Sequence, residues 1–282
     1  MIKPTWAGAG LLALVFAATG CTAEQKPVAP TANGATTSQE SESTGTQEPE
    51  AGVTPSLGVG DPKGIDWDSG RGTAASPNPD PSPSGWYPAA FGSKAKEQGK
   101  TLYLTLDDGP DAQTPAVLRL LRKHSAQATF FVVGKQAEAY PDLLGDINDQ
   151  GHLIGNHSWE HADLTTLSRS AVLADLKATN RVVGTAMGGC MRPPFGAINQ
   201  MVGRSAASMG LFPIMWTGQA WDWRPPASAD IVADMKRATR PGAVLLLHDG
   251  GGDRSNTVSA LRTLLPYWES LGYTLKGVPA CE

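Results

Sequence analysis

The chain has 282 residues, of which 40% are hydrophobic and 18% charged, with a formal net charge of −4 and three cysteines. That length suits one ordinary domain with extensions. The acidity is uneven: residues 22–90 set nine acids against Lys26, Lys63 and Arg71, so residues 91–282 carry a net +1 without basic blocks, which removes support for nucleic-acid binding.

At the N-terminus, Lys3 precedes the run AGAGLLALVFAATG. A basic start and an apolar stretch too short to span a bilayer comfortably predict a secretory signal over residues 1–20. Ala18-Thr19-Gly20-Cys21 resembles a bacterial lipobox, with Ala18 in place of the usual Leu. The expectation is an extracytoplasmic protein anchored to the membrane through lipidated Cys21, with plain secretion as the alternative. Residues 21–95 read as a tether rich in Pro, Ser, Thr, Gly and Glu, a composition that cannot bury enough apolar surface to offset ordering entropy. Trp67 and Trp86 leave room for its later half to dock on the domain, which is set at 96–282.

Within that domain, strand-like and helix-like runs alternate. LYLTL (102–106) predicts a strand, and 114–124 a helix with Pro115 near its start. A buried strand follows at 128–134, a short helix at 141–151 closed by Gly151, and a strand at 152–158. Then come a long helix with a serine start (168–188), a strand end and loop (189–196), a helix ending in glycine (199–210) and a strand (211–216). The last elements are a helix at 228–239 capped by Ser or Asp, an apolar strand at 243–249, a helix at 254–272 broken or kinked near Pro266, and a strand at 273–278. Such alternation predicts an α/β fold with parallel strands and outer helices. The chain is short for a closed eight-fold barrel, so an open or incomplete (β/α) barrel is expected.

Polar clusters follow the strands, where α/β folds place their sites. TLDDGP puts Asp107 and Asp108 side by side; on those residues alone it is a polar turn or a reactive carboxylate pair. In HSWEH, His157 and His161 are four apart and would share one side of a helical turn. They read as metal ligands or as two surface histidines near a turn. Asp108 would complete a three-ligand site with open positions. RPPFG is a rigid turn, or a rigid backbone presenting an amide N–H to an oxyanion, with Arg192 orienting a nearby carboxylate. In WTGQAWDW, Asp222 stands between two tryptophans and needs a polar partner. In LLLHD, His248 is a core histidine or, beside Asp222, a general acid. Cys190 and Cys281 are expected to form a disulfide, two buried free thiols being the alternative.

The order TLDDGP, HSWEH, RPPFG, WTGQAWDW, LLLHD resembles the five motifs of the carbohydrate esterase family 4, the NodB-like polysaccharide deacetylases, over residues 98–279. The resemblance implies a distorted, incomplete (β/α) barrel and metal-dependent removal of N-acetyl groups from a peptidoglycan or chitin-like glycan. It implies Asp107 as base, and Asp108, His157 and His161 as ligands of a divalent metal. Zn²⁺ suits two His and one Asp, while Co²⁺, Ni²⁺ or Mn²⁺ bind similar sets. Arg192 would position Asp107, the Phe195 N–H would join the oxyanion hole, and Asp222 would tune His248 as the acid. Leu246 and Trp223 would shape the acetyl pocket. Three positions depart from the pattern: Leu106 for Phe, Phe195 for Tyr, and Gln219 where the fourth motif begins with Asp. A monomer is expected. O-acetyl esterase action on xylan and a non-catalytic wall-binding lipoprotein are the rival readings.

Overall fold

The structure is a computed structural model that describes residues 99–224 and 226–282. The signal, the lipobox, the tether, and Trp67 and Trp86 lie outside the described residues. In chain order the elements are β1 (Thr101–Asp107), α1 (Thr114–Lys123), β2 (Ala128–Val132), α2 (Gly134–Ala139), α3 (Pro141–Asp149) and β3 (Leu153–Asn156). They continue with α4 (Arg169–Val183), β4 (Met187–Met191), α5 (Gln200–Ser208), β5 (Phe212–Pro213) and β6 (Gly218–Gln219). The last are α6 (Ser228–Ala238), β7 (Val244–His248), α7 (Ser255–Ser270) and β8 (Thr274–Leu275).

The strands pair in parallel in the order β5-β4-β3-β2-β1-β7-β6, with β8 joined to the start of β1. Among the described residues no ladder joins β5 to β6, so the sheet curls into a half-barrel with outer helices, the incomplete barrel expected.

Side-chain alternation divides the core into two layers. Leu102, Leu104 and Leu106 of β1 face the helices, together with Phe130 and Val132 of β2 and Leu245 and Leu247 of β7. There they meet Val117, Leu121, Leu261 and Trp268. Tyr103, Phe131, Val244 and Leu246 face inward instead and pack on Met191, Ile214 and Trp216. Because both faces are covered, β1 and β7 read as nearly continuous apolar runs. On β1 the inward set is Tyr103, Thr105, Asp107; on β7 it is Val244, Leu246, His248. The period of two therefore delivers a carboxylate and an imidazole to the interior at the carboxyl ends of neighbouring strands.

Cys190 and Cys281 form a disulfide that ties β4 to the C-terminal turn, as expected. Ser168 caps α4 by accepting from the Ala171 N–H. Other expectations are corrected. β2 ends at Val132, and a helix that the sequence did not announce, α2, begins at Gly134. Helix 168–188 stops at Val183, and β4 starts at Met187. Strand 211–216 shrinks to two residues, because the Ile214 and Met215 carbonyls turn to Arg192 instead of a ladder. No side chain caps α6, whose N-cap is Ala227. Helix α7 runs unbroken through Pro266: proline sits on the exposed side, while Leu261, Leu264, Leu265 and Trp268 anchor the other.

Candidate active site

β1 delivers Asp107, and the backbone then turns. A strand continuing past Asp107 would aim Asp108 at the opposite face. Asp108 instead takes φ 73°, and both carboxylates line one cleft of about 730 Å³. Left-handed backbone recurs around this cleft at Ser158, His161, Phe195 and Trp221. Such conformations are costly for residues other than glycine and cluster where function demands a geometry.

Arg192 is fully buried behind the cleft. Its Nε donates to the Ile214 carbonyl at 3.0 Å and its Nη2 to the Met215 carbonyl at 3.2 Å. Nη1 donates to both Thr105 Oγ1 and Asp107 Oδ1, each at 2.7 Å. Phe131 lies beneath the guanidinium, its ring centre 4.2 Å from Cζ. A buried charge so completely paired is held in one orientation. Arg192 thus fixes Asp107, whose other oxygen, Oδ2, lies 3.7 Å from His157 Nε2.

The two histidines do not share a helical turn, which corrects that expectation. They sit in a loop after β3, brought together by positive φ at Ser158 (65°) and His161 (60°). His157 Nδ1 lies 2.7 Å from the Arg192 carbonyl. Donation to that carbonyl fixes the tautomer and leaves Nε2 as the lone-pair nitrogen. Asp108 Oδ1 lies 3.3 Å from His157 Nε2 and 3.2 Å from His161 Nε2. It is buried and has no hydrogen-bond partner. One ligand atom from each of Asp108, His157 and His161 falls within 4.8 Å of the others. An orphaned carboxylate oxygen facing two imidazole nitrogens is a donor set that fits a divalent cation.

Burial alone would raise the Asp108 carboxyl, but the contact with His157 and the charges of His248 and His161 hold it well below the ordinary carboxylate range. Burial pulls His157 down, and the Asp107 and Asp108 carboxylates outweigh it and raise the imidazole. In His161, burial and the neighbouring His157 prevail over the carboxylates and lower it.

His248 is the register partner of Asp107 on the neighbouring strand. Its Nδ1 lies 2.7 Å from Asp222 Oδ1, and its backbone N–H donates to Asp222 Oδ2 at 2.9 Å. Thr257 Oγ1 donates to the same Oδ2 at 2.8 Å. Burial lowers His248, but the hydrogen bond and charge of Asp222 outweigh it, so the imidazole is raised.

Phe195, Trp223, Leu246 and Gln219 also line the cleft, whereas Arg192 and Asp222 act from behind it. Phe195 is 61% exposed, with φ 60° and its ring edge-on to His161 at 4.6 Å.

Sequence reasoning missed Thr105, Thr257 and Asp249. The alternation Tyr103-Thr105-Asp107 could have exposed Thr105. Asp249 is fully buried under the Asp108–Gly109 turn; a Cβ on Gly109 would meet its Oδ2 at 2.4 Å. Burial pushes its carboxyl up to about 7.

The polysaccharide deacetylase family profile matches residues 94–214. A chitooligosaccharide deacetylase of Rhizobium leguminosarum bv. trifolii is 34% identical over 204 residues, covering 66% of this chain and 94% of that one. A peptidoglycan-N-acetylglucosamine deacetylase of Bacillus cereus is 36% identical over 184 residues, covering 62% and 84%. Among solved structures, a peptidoglycan N-acetylglucosamine deacetylase bound to a substituted benzamide superposes with a TM-score of 0.61 at 30% identity, covering 64% and 87%. With this fold, this cleft and these relatives, the chain belongs to the polysaccharide deacetylase family.

Proposed function

We propose that the protein is a metal-dependent hydrolase that removes N-acetyl groups from a GlcNAc- or MurNAc-containing glycan and releases acetate. One observation carries the reading. Asp107 and His248 stand side by side on adjacent strands, each tied to a buried partner of opposite charge, next to the Asp108–His157–His161 set. A base and an acid that must hold opposite protonation states require such separate environments.

A divalent ion held by Asp108, His157 and His161 would supply Lewis acidity to the acetyl carbonyl and the attacking water. Asp107 takes the proton from that water, its orientation fixed by Arg192. The Phe195 N–H is assigned as a donor to the oxyanion. With Nδ1 engaged by Asp222, His248 offers Nε2–H to the departing sugar nitrogen, and protonating it makes the amine a leaving group. Leu246 and Trp223 form the apolar wall for the acetyl methyl.

We also place the protein outside the cytoplasm, anchored through Cys21, with residues 21–95 as tether to a domain at 96–282. The Cys190–Cys281 disulfide supports an oxidising compartment.

The test is acetate release from chitooligosaccharide, peptidoglycan and acetylated xylan, with and without a chelator. Release from the two N-acetylated substrates, lost on chelation and restored by Zn²⁺, is expected. Release only from xylan would replace the amidase reading with an esterase. Glycan binding without any release would leave the wall-binding reading in its place.

A further inference from the structure

Three cations in the cleft wall have no part in the chemistry above: Lys135, Arg224 and Arg254. Lys135 is paired with Glu160 at 2.6 Å. Arg254 is buried and donates to the Gly251 carbonyl at 2.9 Å and the Asp253 carbonyl at 3.4 Å. Arg224 is committed to neither kind of partner. Its side chain has no hydrogen bond and no carboxylate partner among the described residues, and it is exposed.

Yet Arg224 is held in place. Its guanidinium carbon lies 4.7 Å from the ring centre of Trp221 and 4.8 Å from that of Trp223. The two indoles are 5.9 Å apart at 64°. The Arg224 backbone N–H donates to the Trp221 carbonyl at 3.0 Å, closing a turn in which Trp221 has φ 51°. An exposed arginine ordinarily loses rotamer freedom when it binds; cation–π contact with two indoles removes part of that loss beforehand. The guanidinium carbon lies over both rings, and the side-chain N–H groups have no hydrogen-bond partner among the described residues, so they remain to donate. A guanidinium edge matches a carboxylate with two parallel hydrogen bonds. The neighbouring indoles can meanwhile pack against the apolar face of a sugar ring.

We propose that Arg224 binds a carboxylate carried by the glycan, so that the preferred substrate class is an acidic glycan and not a neutral chitin-like one. This rests on the hydrolase reading and narrows its substrate. The carboxylate has two sources in an acidic wall glycan: the lactyl ether on the sugar itself, or the peptide attached to it.

Binding and turnover are measured on four ligands: peptide-free strands with free lactyl carboxylates, the same strands methyl-esterified, peptide-bearing strands, and a neutral chitooligosaccharide of equal length. Wild type is expected to bind the acid strands about tenfold more tightly than the esters, and Arg224→Gln to erase that difference. For turnover, Arg224→Gln raises KM on the acid glycan about tenfold, leaves kcat intact and leaves the neutral oligosaccharide unaffected. Arg224→Lys, which keeps the charge but not the fork, recovers part of the loss. A response with peptide-free strands assigns the lactyl carboxylate; a response confined to peptide-bearing strands assigns the peptide. Equal affinity for acid and ester, or an equal loss on neutral and acid ligands in Arg224→Gln, overturns the proposal. Calorimetric binding decides it even where no acetate appears, whereas absence of acetate from every glycan overturns only the hydrolase reading.

Discussion

Asp107 and Asp108 are adjacent in the chain and both approach His157, but their other partners differ. Asp107 continues the inward side of β1 and is bound by Arg192; Asp108 is turned inward by its own φ and meets two histidines. Their substitutions are therefore expected to separate. Asp107→Asn should lower acetate release by roughly 10²–10⁴-fold while leaving metal content, read by elemental analysis, unchanged. His161→Ala should lose metal first, along with the rise in melting temperature that added Zn²⁺ gives the parent. Retained metal in His161→Ala would break the ligand assignment. The acid is tested by pH. Asp222 raises His248, so activity falls as pH climbs through that raised value; Asp222→Asn should move the alkaline limb toward lower pH. An unmoved limb would remove His248 from that role. The motifs made these residues legible, because acid, base and ligands must be particular residue types. Thr257 was not legible: a hydroxyl that only completes another group's hydrogen bonds has no distinctive neighbours in the sequence, whereas Thr105 was marked by its alternation with Asp107.

At the scale of elements, the turn after β1 and the loop after β7 form one interlocked unit. A Cβ on Gly109 would strike the Asp249 carboxylate, and one on Gly250 would lie 2.4 Å from the Asp108 backbone oxygen. The Asp249 backbone N–H donates to the Asp107 carbonyl at 3.1 Å. Gly109→Ala is expected to destabilise the fold by about 1–3 kcal/mol and weaken metal binding, since relief requires moving the ligand turn. Gly109→Ala with Asp249→Ala should recover part of both, which a double-mutant cycle in urea and in metal titration would read. Additive losses would show that the two segments are not coupled. Periodicity announced the main strands and helices, but neither their ends nor the short α2 and β6. Strand 211–216 was apolar enough to continue; it stopped where a buried arginine just after β4 takes its carbonyls, a long-range demand that no local pattern carries.

For the whole molecule, two buried groups oppose each other in pH. Burial holds His152 down to about 4. Its folded value lies below the unfolded one, so stability is lost as pH falls from about 6.5 toward 4. Asp249, raised to about 7, acts in the other direction: stability is lost as pH rises from about 4, where the unfolded carboxyl ionises, to about 7, where the folded one does. Between about 4 and 6.5 the two opposing slopes therefore offset each other in metal-free protein, and Asp249→Asn, which removes one of them, should give urea midpoints that rise with pH across that range. A pH profile left unchanged by Asp249→Asn would contradict the buried protonated carboxyl.

The disulfide joins residues 91 positions apart, which by loop entropy is worth about 4.6 kcal/mol. Cys190 stands two residues before Arg192, so the bond secures the end of the strand that leads into the arginine bound to Asp107. How the protein is made then becomes part of its chemistry. Material folded under reducing conditions and material folded under oxidising ones share one sequence but differ in the footing of Asp107, the proposed base, and a preparation with free thiols should be assayed as a different enzyme.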